Sequence, residues 1–150
     1  MSEVAEIKPK AELLNDLEVA LSKLPRVELP VTHAFTPGMY IREIKIPAGT
    51  MLTSMTHKTE HPFVLSKGSI KVTSDNEGSV IYEAPYTGIT KPGTRRALHA
   101  ITDVVWTTFH VTDETDVETI CDQILEPLDT KHLDLENKKF LPQYRESLPE

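Results

Sequence analysis

The stretch Gly49-Thr50-Met51-Leu52-Thr53-Ser54-Met55-Thr56-His57-Lys58-Thr59-Glu60-His61-Pro62-Phe63-Val64-Leu65-Ser66-Lys67-Gly68 holds two imidazoles and a carboxylate within five residues. Written as a strand, it points His57, Thr59 and His61 to one face, because successive side chains alternate. Two imidazoles on one face can share a transition metal if a third ligand arrives from a neighbouring strand.

The same texture continues on both sides. Short runs rich in Val, Ile, Thr and Tyr recur every eight to twelve positions. Strands are predicted near 39–46, 51–56, 62–66, 69–73, 79–83, 87–90, 95–101 and 104–110. The turns between them are Pro47-Ala48-Gly49, Ser66-Lys67-Gly68, Asp75-Asn76-Glu77-Gly78, Ala84-Pro85-Tyr86 and Lys91-Pro92-Gly93. No segment from 39 to 110 has the length and periodicity of a crossover helix, which argues against parallel pairing, and an antiparallel meander or jelly roll is expected. The last two strands read as a hairpin closed around Thr102-Asp103, which would bring His110 beside Arg95 or Arg96 according to register.

A helix flanks the strands at each end. Leu13, Leu14, Leu17, Leu21 and Leu24 trace one face of a 3.6-residue period that Pro25 stops, with Glu12, Asp16, Glu18 and Lys23 read as the solvated side. Thr115-Asp116-Val117-Glu118 has the form of a capping box. Val117, Ile120, Cys121, Ile124 and Leu125 then form an apolar face that ends at Pro127, and Cys121 on it reads as a core residue. Residues 1–8 are expected to be a loosely held N-terminus, 9–126 one domain with its flanking helices, and 127–150 a C-terminal extension that wraps the domain, meets a partner or stays loose.

Composition removes several classes of function. The net charge of −7, with 16 basic against 23 acidic residues, argues against gripping a nucleic-acid backbone. No basic amphipathic face or long apolar run points to a membrane. Cys121 is the single cysteine, so an intrachain disulfide and a Cys-rich zinc site are both excluded. The expected location is the cytosol, or a larger particle into which the protein is packaged.

Counted against its glycines, the opening stretch resembles the first motif of the cupin superfamily: Gly, His-x-His, three or four residues, Glu, six residues, Gly. His61 falls on that Glu, His57 on the second His, and Met55 on the first. Lys91-Pro92-Gly93-Thr94-Arg95-Arg96 resembles the second motif, with Arg96 where the family has its last His. One ligand position therefore carries a thioether, one an imidazole in place of a carboxylate, and one a guanidinium. The resemblance implies a mainly β fold: a cupin-type antiparallel jelly-roll barrel, here with an N-terminal and a C-terminal helix. Further runs look like short cupin-like proteins of tailed bacteriophages and prophages: Leu29-Pro30-Val31-Thr32-His33-x-Phe35, Pro37-Gly38-x-Tyr40-x-Arg42-Glu43-Ile44, Ala84-Pro85-Tyr86-Thr87 and Val105-Trp106-Thr107-Thr108-x-His110. That likeness spans roughly residues 10–120 and implies a viral origin without a substrate. Because cupins often pair through their sheets, it also implies a homodimer.

The candidate metal ligands are therefore His57, His61 and His110, a three-imidazole set suited to Zn, Fe, Ni or Cu. Arg96 and Arg95 are candidates for holding a carboxylate or phosphate, Glu60 for a ligand or general base, and Tyr86 for a stacking wall. The expected function is binding of a small molecule or partner at the barrel mouth, as a phage-type accessory or virion protein. A metal-dependent oxygenase or isomerase and a structural assembly protein are the alternatives. His57-Lys58-Thr59 and His110-Val111-Thr112 also resemble the paired His-x-Thr motifs of two-histidine phosphoesterases, but Thr56 and Glu60 are not apolar strand flanks and the chain lacks that family's α-β alternation.

Overall fold

Alternation of apolar and polar side chains builds two facing antiparallel sheets. The structure, a computed structural model, describes residues 10–24, 27–74, 78–127 and 131. Residues 1–8, Pro25, the Asp75-Asn76-Glu77 part of one turn and nearly all of the C-terminal extension lie outside the described residues. The first sheet holds β1 (Val31–Thr36), β2 (Met39–Ile46), β9 (Val104–Val111), β4 (His61–Lys67) and β7 (Tyr86–Thr90), in that order. The second holds β3 (Met51–Thr53), β8 (Arg96–Ala100), β5 (Ser69–Ser74) and β6 (Gly78–Glu83). Between the two inner faces lies the core, with Ile44, Phe63, Leu65, Ile70, Val72 and Trp106 among its buried side chains. Phe63 and Trp106 stack face to face at 4.3 Å.

The sequence reading needs correction at several places. β1 was not expected; it is a short edge strand with mostly exposed side chains, paired to β2 from Val31↔Ile44 to Thr36↔Met39. The strand expected over 51–56 ends at Thr53, and His57 makes only an isolated bridge to Leu125. β8 and β9 are not a hairpin. β8 pairs with β3 and β5, β9 with β2 and β4, and the chain crosses from one sheet to the other at Thr102-Asp103. α2 (Val117–Ile124) is capped by Asp116, not Thr115. The Asp116 carboxylate accepts from the backbone N–H and the hydroxyl of Thr119, which holds it below the usual carboxyl range.

The solvated side of α1 (Lys10–Leu21) was also misread. Glu18 is 1% exposed, while Leu13 and Leu24 lie largely open to solvent. The Glu18 carboxylate pairs with Arg95 at 2.7 Å and accepts from the Thr53 hydroxyl at 2.5 Å. Asn15 Oδ1 takes a second bond from Arg95 at 2.7 Å. These contacts dock α1 on the outer side of the β3–β8 sheet.

The crossing at Thr102-Asp103 explains one glycine. Gly68, between β4 and β5, has φ +90°. A Cβ there would stand 2.1 Å from the Asp103 carbonyl oxygen. Thr102 Oγ1 accepts from the Ser69 amide and Asp103 Oδ1 from the Ala48 amide, so three turns meet at this end. Gly68→Ala combines left-handed strain with a backbone clash, and is expected to cost about 2–5 kcal/mol. Urea unfolding at neutral pH checks it; a loss below about 0.5 kcal/mol, the size of an ordinary surface substitution, would mean the turns part freely.

Candidate functional site

The inward positions of the larger sheet form levels. Tyr40 on β2 is paired with His110 on β9. Phe63 on β4 faces Thr108, so two residues on, the same register sets His61 beside His110, with ring centroids 4.6 Å apart. His61 is paired in turn with Thr90 on β7. Arg42, Thr108 and Phe63 make the next level down, and Ile44, Trp106 and Leu65 the one below.

His57 joins this set from the loop between β3 and β4. The loop is fastened to the end of α2: Lys58 N–H donates to the Ile124 carbonyl at 2.6 Å, and Glu126 N–H to the Thr56 carbonyl at 2.9 Å. Gly93 N–H donates to the His57 carbonyl at 2.9 Å. The His57 ring lies 4.3 Å from that of His61 and stacks on His110 at 5.5 Å. One nitrogen from each of the three rings lies within 4.8 Å of the others. His110 thus reaches His57 and His61 as expected, but from a strand beside β4 rather than from a hairpin with β8.

The three rings are held neutral. Burial drives His57 down to about 2, helped by the positive charge His61, His110 and Arg42 would present to it. Burial likewise takes His110 down to about 3, with His61 and Arg42 adding to it. His61 is also lowered, by burial and by Arg96, against a partial offset from the Thr59 carbonyl. Backbone carbonyls orient two of the rings: His57 donates to Met55, and His61 Nδ1–H to Thr59 at 3.4 Å. His110 Nε2 bonds the Thr108 hydroxyl at 2.9 Å, which leaves its Nδ1 buried without a hydrogen-bond partner.

A cavity of about 120 Å³ runs from this cluster into the barrel. α2 closes its mouth, with Ile120 and Ile124 buried against Tyr40. Half-buried Cys121 on the same helix lines the cavity. Arg42 from one sheet and Arg96 from the other meet it below the histidines, the Arg96 guanidinium 5.3 Å from the Phe63 ring centroid. No carboxylate lines it among the described residues.

Other expected site residues lie elsewhere. Arg95 is occupied by Glu18 and Asn15. Glu60 points out and meets Lys91 at 3.4 Å. Tyr86 stacks on Tyr82 at 4.3 Å and does not reach the cavity. Sequence reasoning missed Arg42 and Thr94, which both line the cavity. For Arg42 the signal was present: in Met39–Ile46 it occupies the same face as Tyr40, Ile44 and Ile46. It also missed Tyr40, whose hydroxyl meets His33 Nδ1 at 2.6 Å.

No protein-family profile and no curated protein sequence matches the chain. Solved structures do. The cupin domain of Schizosaccharomyces pombe Cnp3 is similar over 62% of this chain and 67% of its own, at 20% identity and a TM-score of 0.50. A cupin superfamily protein of Desulfitobacterium hafniense is similar over 61% and 84%, at 8% identity and 0.51. Salicylate 1,2-dioxygenase of Pseudaminobacter salicylatoxidans is similar over 75% of this chain but 36% of its own, at 12% identity and 0.53. At such identities the likeness is one of fold: the chain forms a cupin-type jelly roll. No helix among the described residues is long and apolar enough to cross a membrane.

Proposed function

We propose that this barrel is a ligand-binding cupin that holds one transition-metal ion on His57, His61 and His110 and takes a small molecule in the cavity below. The observation that carries the proposal is the buried Nδ1 of His110, without a hydrogen-bond partner, beside two other neutral imidazoles. An orphaned polar nitrogen in the interior is costly, and a metal ion satisfies it. The donor set fits: metal-bound histidines usually give their second N–H to a carbonyl, as His57 and His61 do here. A bound ion would supply Lewis-acid or oxygen-activating chemistry. The protein's own groups hold the rings neutral, keep α2 over the mouth and set two guanidiniums beneath.

Binding is favoured over catalysis because no carboxylate among the described residues lines the cavity. Glu60, the candidate general base, faces outward onto Lys91. The short motifs that resemble those of phage cupin-like proteins would accord with an accessory or virion role for the same binding barrel.

Elemental analysis of untagged protein purified without chelator tests the metal. Near-stoichiometric Zn, Fe, Ni or Cu is expected, and its loss in His57→Ala/His61→Ala. Equal metal in both proteins, or none in either, would sink the three-histidine site.

A further inference from the structure

We infer that the small molecule is a short-chain carboxylate, its anionic head on Arg42 and Arg96 and its alkyl body on the apolar floor of the barrel. This rests on the ligand-binding reading of the barrel and does not require the metal.

Charge points to an anion. Two guanidiniums reach one cavity from opposite sheets, and no Asp or Glu lines it among the described residues. Arg96 is 6% exposed, so its charge is sheltered from water and acts strongly on whatever occupies the cavity. Thr94, also on the cavity wall, is 2% exposed and its hydroxyl has no hydrogen-bond partner, so a donor stands ready for an oxygen.

Shape separates a carboxylate from an inorganic anion. Below the arginines the wall is Ile44, Leu52, Leu98 and Trp106. A phosphate would leave that surface uncovered and set its remaining oxygens against hydrocarbon, which costs free energy. A carboxylate needs one planar face on a guanidinium fork and leaves the rest of the molecule apolar. Size limits the chain. A cavity of roughly 150 Å³ accepts the six heavy atoms of benzene. One of about 120 Å³ therefore suits about five or six: propionate or butyrate.

The test is calorimetric titration of the full chain with sodium acetate, propionate, butyrate, hexanoate and phosphate, before and after dialysis against chelator. Saturable binding is expected, tightest for propionate or butyrate, with phosphate failing to compete. Arg42→Gln and Arg96→Gln are each expected to weaken butyrate at least tenfold. Should either fail to fold, Thr94→Val replaces it, with an expected loss of three- to tenfold. No saturable binding of any acid, affinity unchanged by these substitutions, or phosphate bound more tightly than butyrate would each overturn the inference. Metal content of the same samples separates the two readings. Butyrate bound by protein that never holds metal sinks the three-histidine site alone. Metal-loaded protein that ignores every carboxylate sinks this inference alone.

Discussion

Glu18→Ala is expected to destabilise the protein by about 3 kcal/mol or more, among the largest losses any single surface-helix substitution would bring. Removing one partner of a buried ion pair strands the other, at a typical cost of about 3–5 kcal/mol. The Arg95 side chain remains 16% exposed, so the lower end applies. Thr53, fully buried, loses the acceptor of its hydroxyl as well. Replacing both charges, as Glu18→Leu with Arg95→Met, is expected to recover most of the loss, because an apolar pair has no desolvation to repay. Urea midpoints for the two singles and the double form the cycle. A single-substitution loss below about 1 kcal/mol, the range of exposed pairs, would mean that Leu14 and its neighbours dock α1 without the pair.

Acidification is the second large effect. Each of the three histidines has its folded-state pKa depressed below the ordinary 6.5, with burial as the leading cause. Below pH 6.5 the unfolded chain therefore binds protons that the native barrel refuses. Stability is complete above that pH and falls as pH falls, down to the region of about 3 for His110 and about 2 for His57. Three protons taken up on unfolding give a slope of up to about 4 kcal/mol per pH unit. Chelator-treated protein is expected to lose up to about that much between pH 7 and 5.5, a window above the titration of ordinary carboxylates. Replacing all three histidines with Asn should flatten the curve. A wild-type curve already flat across the window would mean that the rings take protons in place.

How much of this was written in the chain is clearest at three residues. His57 and His61 could be found by counting from Gly68, because the turn glycine and the strand alternation are local properties. Glu18 could have been found too: it follows Leu14 by four and precedes Leu21 by three, in the middle of the apolar stripe. Its charge hid its position. Arg95, its partner, lies 77 residues away, and no local rule joins them.

The hairpin error has a more exact lesson. A two-residue turn at Thr102-Asp103 would pair Ile101 with Val104 and Ala100 with Val105, setting Ala100 and Val105 on one face. The buried positions are instead Leu98, Ala100, Val104 and Trp106. That parity fits a chain turning a corner into the opposite sheet. The turn also lacks the Asn-Gly or Gly that tight hairpins favour. β1 escaped because Val31–Thr36 has Thr32 beside His33 and Ala34 beside Phe35, which breaks the apolar alternation by which strands are recognised.

The strand order bears on how the barrel is assembled in time. β9, the last strand among the described residues, is the middle of its sheet, and β8 joins β3 to β5 in the other. Until residue 111 is available, the larger sheet is two separate pairs, β1–β2 and β4–β7, with raw edges where β9 belongs. Open edges invite pairing with other chains, and contacts between distant residues form slowly. The nascent chain therefore passes through a long stretch of vulnerability that ends in one late insertion. Because His110 rides on that final strand, the three imidazoles come together only as the barrel closes.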